Sequence, residues 1–318
     1  MKRLSNPTIV LYAAGLIFLL VAPAFLYPVL VMKILCFAMF ACAFNLLLGY
    51  TGLLSFGHAA FFGTAVYLTA HALKVWAWPT LLGIAFGTAA AALLGLVIGF
   101  LAIRRQGIYF SMITLAMAQL VYFFFLQSPF TGGENGLHGI PRGDVLGIGL
   151  GGERSIYYFV VVVFALSFWL IHRTIQSPFG QVLRAIRENE SRAVSLGYDV
   201  GRYKLLVFVL SAALAGLAGA TKAVAFNLAS LSDVHWHTSG DVVLMSLLGG
   251  MGTVLGPVVG SAVVVTLQTQ FADKLGSLIT VSMGGIFAVC VLAFRRGIVG
   301  EVGDWLSRQS MLSGTAKR

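Results

Sequence analysis

The sequence predicts an all-α fold, a polytopic transmembrane helical bundle, and three observations carry that prediction. Of the 318 residues 58% are hydrophobic and 10% charged, with 24 Phe against 11 Asp+Glu. Mean hydropathy is +0.91, so a water-facing surface cannot be covered with polar groups. Apolar runs fall at 8–26, 29–48, 58–73, 80–103, 108–127, 155–172, 203–230, 241–270 and 277–294, near the length of about 20 residues that a membrane-crossing helix needs. They lack the strict alternation of porin-type strands. The chain reads as one transmembrane domain, 1–318, with halves at 1–150 and 151–318. Its longest polar connections are 128–154 and 173–203.

Taken in order, the N-terminus has the look of a signal peptide: Lys2 and Arg3, an apolar run from Ile9, then Ala22-Pro23-Ala24. Because another apolar run follows almost at once, an uncleaved first span is the preferred reading. Basic residues set orientation. Lys2-Arg3, Arg104-Arg105, segment 173–204 and Arg295-Arg296 are expected in the cytoplasm, as are both termini. Loops 128–154 and 231–240 are expected outside. A single crossing by 241–270 would carry Arg295-Arg296 to the wrong side. The stretch "LLGGMGTVLGPVVG" within it is too rich in glycine for a continuous helix. We therefore read 241–270 as a broken or re-entrant element that crosses a net even number of times. "GYTGLLSFGHAAFFG", Gly49 to Gly63, is a comparable break in the first half. Gly49-x-x-Gly52 matches Gly249-x-x-Gly252 in spacing, which suggests an internal pseudo-repeat with gating glycines at Gly49, Gly52, Gly57, Gly249, Gly250, Gly252 and Gly256. Close helix packing through small residues explains the same glycines equally well.

The net charge of +10 follows from basic cytoplasmic loops, and no basic stretch is interleaved with aromatics as nucleic-acid binding would require. Cys36, Cys42 and Cys290 lie in apolar runs without CxxC spacing, which speaks against a metal site or disulfide framework. His235 and His237 flank Trp236 but have no further ligands nearby, so no metal is expected. The sequence has no Gly-x-x-x-x-Gly-Lys-[Ser/Thr], no Gly-x-Ser-x-Gly and no His-Glu-x-x-His, so neither ATP hydrolysis nor another catalysis is assigned to this chain. A stand-alone secondary transporter would need a charge deep in a span; Lys33, Lys222 and Asp241 are the candidates, all near span ends. A membrane-embedded enzyme would need convergent acids, histidines or metal ligands, and none converge.

Polar side chains within or beside the spans are candidates for a substrate path: Asn45, Ser55, His58, Ser111, Thr114 and Gln119. Helix-to-helix hydrogen bonding is the alternative reading for each. The segment "SPFGQVLRAIRENESRAVSLGYDVGRYK", Ser177 to Lys204, concentrates charge in a chain that has little. Ser177 suits an N-cap, Pro178 the first helical position and Gly197 the exit. Phe179, Val182, Leu183, Ile186, Ala193 and Val194 make one apolar face. Arg184–Glu188 and Glu188–Arg192 are i,i+4 pairs on the other. This predicts an amphipathic helix of about 19 residues with a weak point at Glu188-Asn189-Glu190. A lipid-surface helix and a solvated linker are the alternatives, but the mixed charge suits a protein partner better.

"AFNLLLGYTGLLSFGHAAFFGTAVYLTA", "GIYFSMITLAMAQL", "TGGENGLHGIP", the segment from Leu183 to Ala220 and "LLGGMGTVLGPVVG" together resemble the permease subunits of branched-chain amino acid ABC importers, the LivM type. The resemblance runs over about residues 30–295. It implies an all-helical permease in a bacterial inner membrane that pairs with a second permease of the LivH type. It also implies two cytoplasmic ATPase subunits that hold ATP and Mg, and a periplasmic substrate-binding protein. The substrate is then a branched-chain amino acid, or in similar permeases urea, short amides or aromatic acids. The resemblance places the ATPase-coupling region at 177–204, with Arg184, Arg187, Glu188, Glu190, Arg192, Ala193 and Gly197. The family's Glu-Ala-Ala pattern followed by Gly is only approximated by Glu190-Ser191-Arg192-Ala193 and Gly197, which leaves the individual contacts open.

Overall fold

The computed structural model describes residues 6–145, 147–275, 284–285 and 297–301. Apart from residues 284–285, the apolar run 277–294, with Cys290, lies outside the described residues, as do Arg295-Arg296 and both chain ends. The helices are α1 (Asn6–Val21), α2 (Pro28–Thr51), α3 (His58–Lys74), α4 (Thr80–Ala102), α5 (Ile108–Gln127), α6 (Glu153–Gln176), α7 (Pro178–Glu188), α8 (Glu190–Ser195), α9 (Val200–Phe226), α10 (Trp236–Gly249) and α11 (Gly256–Leu275). Helices α2, α4, α5, α6 and α9 are long and apolar enough to cross a membrane.

Helices α2 and α9 form the centre. The first packs on α9, α11, α6 and α10, the second on α4 and α3 as well. Small residues bring these axes close: a Cβ on Gly216 would press on Ala91 of α4, and one on Gly219 would meet the backbone of Phe62 in α3. The outer faces of α4, α5 and α6 expose Leu93, Phe100, Leu120, Phe123 and Trp169, as a lipid- or subunit-facing surface requires.

Two ends can be told apart by their bonds. At one, the 103–107 turn is tied to α8 through Gln106 Nε2, which donates to Glu190 Oε1 at 3.0 Å, and Lys204 pairs with the same carboxylate at 2.7 Å. At the other, Lys74 donates to the His138 carbonyl at 2.7 Å, and Arg142 donates to Asn227 Oδ1 at 3.0 Å. Short strands β1 (Leu137–His138) and β4 (Leu228–Ala229) pair there, with β2 (Asp144–Val145) and β3 (Ile148–Gly149) beside them. We call these the basic end and the loop end. The break 250–255 lies at the basic end, and Gly297 packs on Gly250. So α10 runs to that end and α11 away from it, with the break expected from the sequence between them.

Three expectations need correction. The 231–240 stretch is not all loop, because His235 caps α10 and residues 236–240 are helical. The apolar run 203–230 ends as a helix at Phe226, where Asn227 turns left-handed. The amphipathic segment is two helices, because Asn189 is extended and caps α8 by accepting from the Arg192 amide at 2.9 Å.

At the loop end Lys222 of α9 and Asp233 form an ion pair with little exposure. Removing one partner of a buried pair strands the other, at a cost of about 3–5 kcal/mol. Lys222→Met should therefore lower the thermal unfolding midpoint in detergent sharply. Adding Asp233→Asn should recover much of the loss. A Lys222→Met chain as stable as the parent would show that the pair contributes nothing.

Candidate functional site

The two glycine breaks meet each other at the basic end. The first arises because Gly52, at φ +76, closes α2 in a left-handed turn that a side chain would strain. Residues 53–57 then pass through the interior before α3 starts at His58. They are sewn to the first turns of α5. Ser111 Oγ donates to the Leu54 carbonyl at 2.7 Å, and Thr114 Oγ1 accepts from the Phe56 amide at 3.2 Å. Ser55 Oγ accepts from the Gly57 amide at 3.2 Å.

The second break is held by a side chain from the first half. Asn45 donates from Nδ2 to the Thr253 carbonyl at 2.9 Å and accepts at Oδ1 from the Gly252 amide at 3.1 Å. One buried amide thus satisfies a donor and an acceptor that an interrupted helix leaves open. Gly49 lies one turn beyond Asn45, and a Cβ there would come 2.7 Å from the Gly252 nitrogen. Behind the break, Gly249, Gly256 and Gly260 let α10 and α11 touch backbone to backbone. Gly52 and Gly252 turn the chain, while Gly249 and Gly256 pack helices, as the close-packing reading expects. Gly57 sits against Thr114, and Gly250 ends α10.

The amphipathic segment docks on this junction. Arg187 of α7 donates from Nη1 to the Gly49 carbonyl, and its stem passes Gly52. Arg184 lies 5.3 Å over the Tyr50 ring. A cavity of about 420 Å³ opens here, lined by Gly49, Tyr50, Arg184, Arg187, Glu188 and Gly252. The i,i+4 pairs expected on α7 do not form among the described residues. Asn189 breaks the register between Glu188 and Arg192, and Arg184 is drawn to Tyr50. The break also corrects the apolar face. Leu183, Ile186 and Ala193 are buried, but Val194 is exposed, along with Leu196 and Tyr198. Gly197, at φ +87, makes the exit turn.

The six polar path candidates fall into separate places. Ser55, Ser111 and Thr114 gather at the first break and Asn45 at the second. His58 is fully buried among Phe44, Phe61 and Phe208. Its Nε2 donates to Ser211 Oγ at 2.8 Å, since that hydroxyl gives its own proton to the Ala43 carbonyl. Gln119 is half-buried on α5, one turn below Tyr122. At the loop end Tyr122 meets His235 edge to face at 4.9 Å. Burial and the neighbouring His237 ring hold His235 below the ordinary imidazole value, so the ring is neutral at neutral pH. Among the described residues no three His, Cys, Asp or Glu converge as a metal set. Sequence reasoning missed the Asn45 clamp and the inward turn of Arg187, both of which depend on pairing residues far apart in the chain.

A family model described as "Branched-chain amino acid transport system / permease component" matches residues 28–294. The chain belongs to that family. The LivM high-affinity branched-chain amino acid permease protein of Escherichia coli is 28% identical over 282 residues, covering 80% of this chain and 65% of that protein. This chain therefore spans less than two thirds of that relative's length. A probable LivH permease protein of Methanocaldococcus jannaschii is 27% identical over 179 residues, 52% of this chain and 53% of that one. The ribose import permease protein RbsC of Bacillus subtilis is 32% identical over 149 residues, 44% of each. No solved structure matches. The matched proteins are transport permeases rather than enzymes. With five helices among the described residues long and apolar enough to cross a membrane, this chain is a multi-pass membrane permease component of the LivM type.

Proposed function

We propose that this chain is one of two permease subunits of an ATP-driven importer of branched-chain amino acids in a bacterial inner membrane. Its basic end faces the cytoplasm and its loop end the binding protein. ATP and Mg are held by two ATPase subunits, and a LivH-type permease completes the path. The observation that carries this reading is the surface of α8 and the turn that follows it. Val194, Leu196 and Tyr198 are 57%, 69% and 39% exposed at the charged, basic end of the bundle. Apolar side chains beside Arg192 and Asp199 in a water-facing position call for a protein partner. The face lies on the segment whose Arg187 bonds the Gly49 carbonyl beside Gly252, so a pull by the partner would reach the junction directly. The likeness to a ribose permease leaves the solute to be set by the binding protein and the path together.

Reconstitution tests the proposal. Proteoliposomes holding both permeases, the ATPases and the binding protein should accumulate leucine only with ATP. Leu196→Asp should lower ATPase co-purification by about tenfold, the weight of one well-buried interface side chain. Leucine flux by the purified chain without ATPases would overturn the reading.

A further inference from the structure

At the loop end a cavity of about 410 Å³ opens between α5 and the start of α10. Its walls differ in polarity. Tyr122 and Leu231 give an apolar side. Against Tyr122 stands His235, whose Nδ1 accepts from the His237 amide at 3.3 Å. In the neutral ring the proton is therefore on Nε2, a donor. The ring is fixed between Tyr122 and the His237 ring stacked on it at 4.9 Å. It also caps α10, so it sits at the positive end of that helix's dipole. Asp241 lines the same cavity, about one and a half turns further along α10. Its polar neighbours are the Gln268 amide, His237 and Lys33. Among the described residues no cation closes on it within ion-pair distance, and Lys222 is taken by Asp233. One cavity thus offers a carboxylate and, a short way off, the His235 ring N–H at the positive end of a helix.

We propose that this cavity recognises the head group of a zwitterionic amino acid, the ammonium against Asp241 and the carboxylate against the His235 ring N–H. The side chain then lies along Tyr122 and Leu231. The inference rests on the importer reading above and names the part of the path that meets substrate at the loop end. A ligand lacking either charge leaves Asp241 or the His235 donor unpaired on a desolvated wall, so recognition needs both.

The test uses the assembled transporter carrying Ser232→Cys, an exposed position at the rim, once leucine uptake by that variant has been measured. Maleimide labelling of the new thiol should slow at least severalfold with millimolar leucine. It should not slow with 4-methylpentanoate, which lacks the ammonium, or with isopentylamine, which lacks the carboxylate. Adding Asp241→Asn should remove protection by leucine while ATP hydrolysis stimulated by the binding protein persists, showing that the complex is intact. Uptake of leucine without protection overturns the cavity and leaves the importer standing. Equal protection by all three compounds, or protection that survives Asp241→Asn, overturns it as well. No leucine uptake by the assembled parent transporter overturns the branched-chain substrate class, and this site with it.

Discussion

Gly260→Ala should cost about 3 kcal/mol or more and sharply reduce folded protein in the membrane, although the change adds one methyl group. Gly256 and Gly260 are spaced as a Gly-x-x-x-Gly pair on α11 and face the end of α10. A Cβ on Gly260 would press into the Met245 carbonyl oxygen and lie 2.8 Å from its carbon and 3.0 Å from the Gly249 nitrogen. All three are backbone atoms in helix, so no side chain can swing aside. The helices must separate, and separation also strains the Asn45 bonds to Gly252 and Thr253. Intrinsic helix propensity pulls the other way by about 1 kcal/mol in favour of alanine, which is too little to offset the clash. Gly240, on α10, supplies the control: nothing lies within 4 Å of its Cβ position. Gly240→Ala should be neutral or stabilising. Thermal unfolding of both variants in detergent decides the matter, and equal behaviour would mean that α10 and α11 do not meet as described.

These glycines show what the sequence makes legible. A run of glycines with a proline in an apolar segment announces that the helix cannot continue, because the cost is local. The N-cap Ser177 with Pro178, and the left-handed exit at Gly197, are local too, and they fall where expected. The spans follow from apolar length alone. What stays hidden is pairing at long range. Asn45 reads as one polar residue in an apolar helix, and only folding brings it to Thr253, 208 positions away in sequence. Val194 fits the apolar stripe of one continuous helix, yet Asn189 rotates α8 and turns it outward. The expected ion pairs of α7 fail for a related reason. Helical spacing states who can meet, while the tertiary neighbours Gly49, Tyr50 and Lys204 decide who does.

Arg187 is where this difference matters most for transport, and Arg187→Ala should lower the substrate carried per ATP hydrolysed by about tenfold. A hydrogen bond from a charged donor contributes about 1.5 kcal/mol at the low end of its range, and Arg187 belongs there because the residue is largely exposed. About 1.4 kcal/mol is a factor of ten in an equilibrium. The bond joins α7, which the ATPase is proposed to move, to the Gly49 carbonyl, which packs on the second break. Without it α7 can shift while the breaks stay, so hydrolysis continues and transport falls. Stability should fall by no more than about 1.5 kcal/mol, the contribution of that bond. Arg187→Lys should be intermediate, since a point-like ammonium can reach Gly49 but cannot spread over Gly252 as a planar guanidinium does. Arg184→Ala removes only a cation–π contact at 5.3 Å, about 0.5–1 kcal/mol at an exposed site, and its effect should be smaller. Leucine transport and ATP hydrolysis measured together in proteoliposomes separate these cases. If Arg187→Ala lowers both in proportion, the residue serves ATPase binding. If it lowers transport alone, α7 drives the junction through this one side chain.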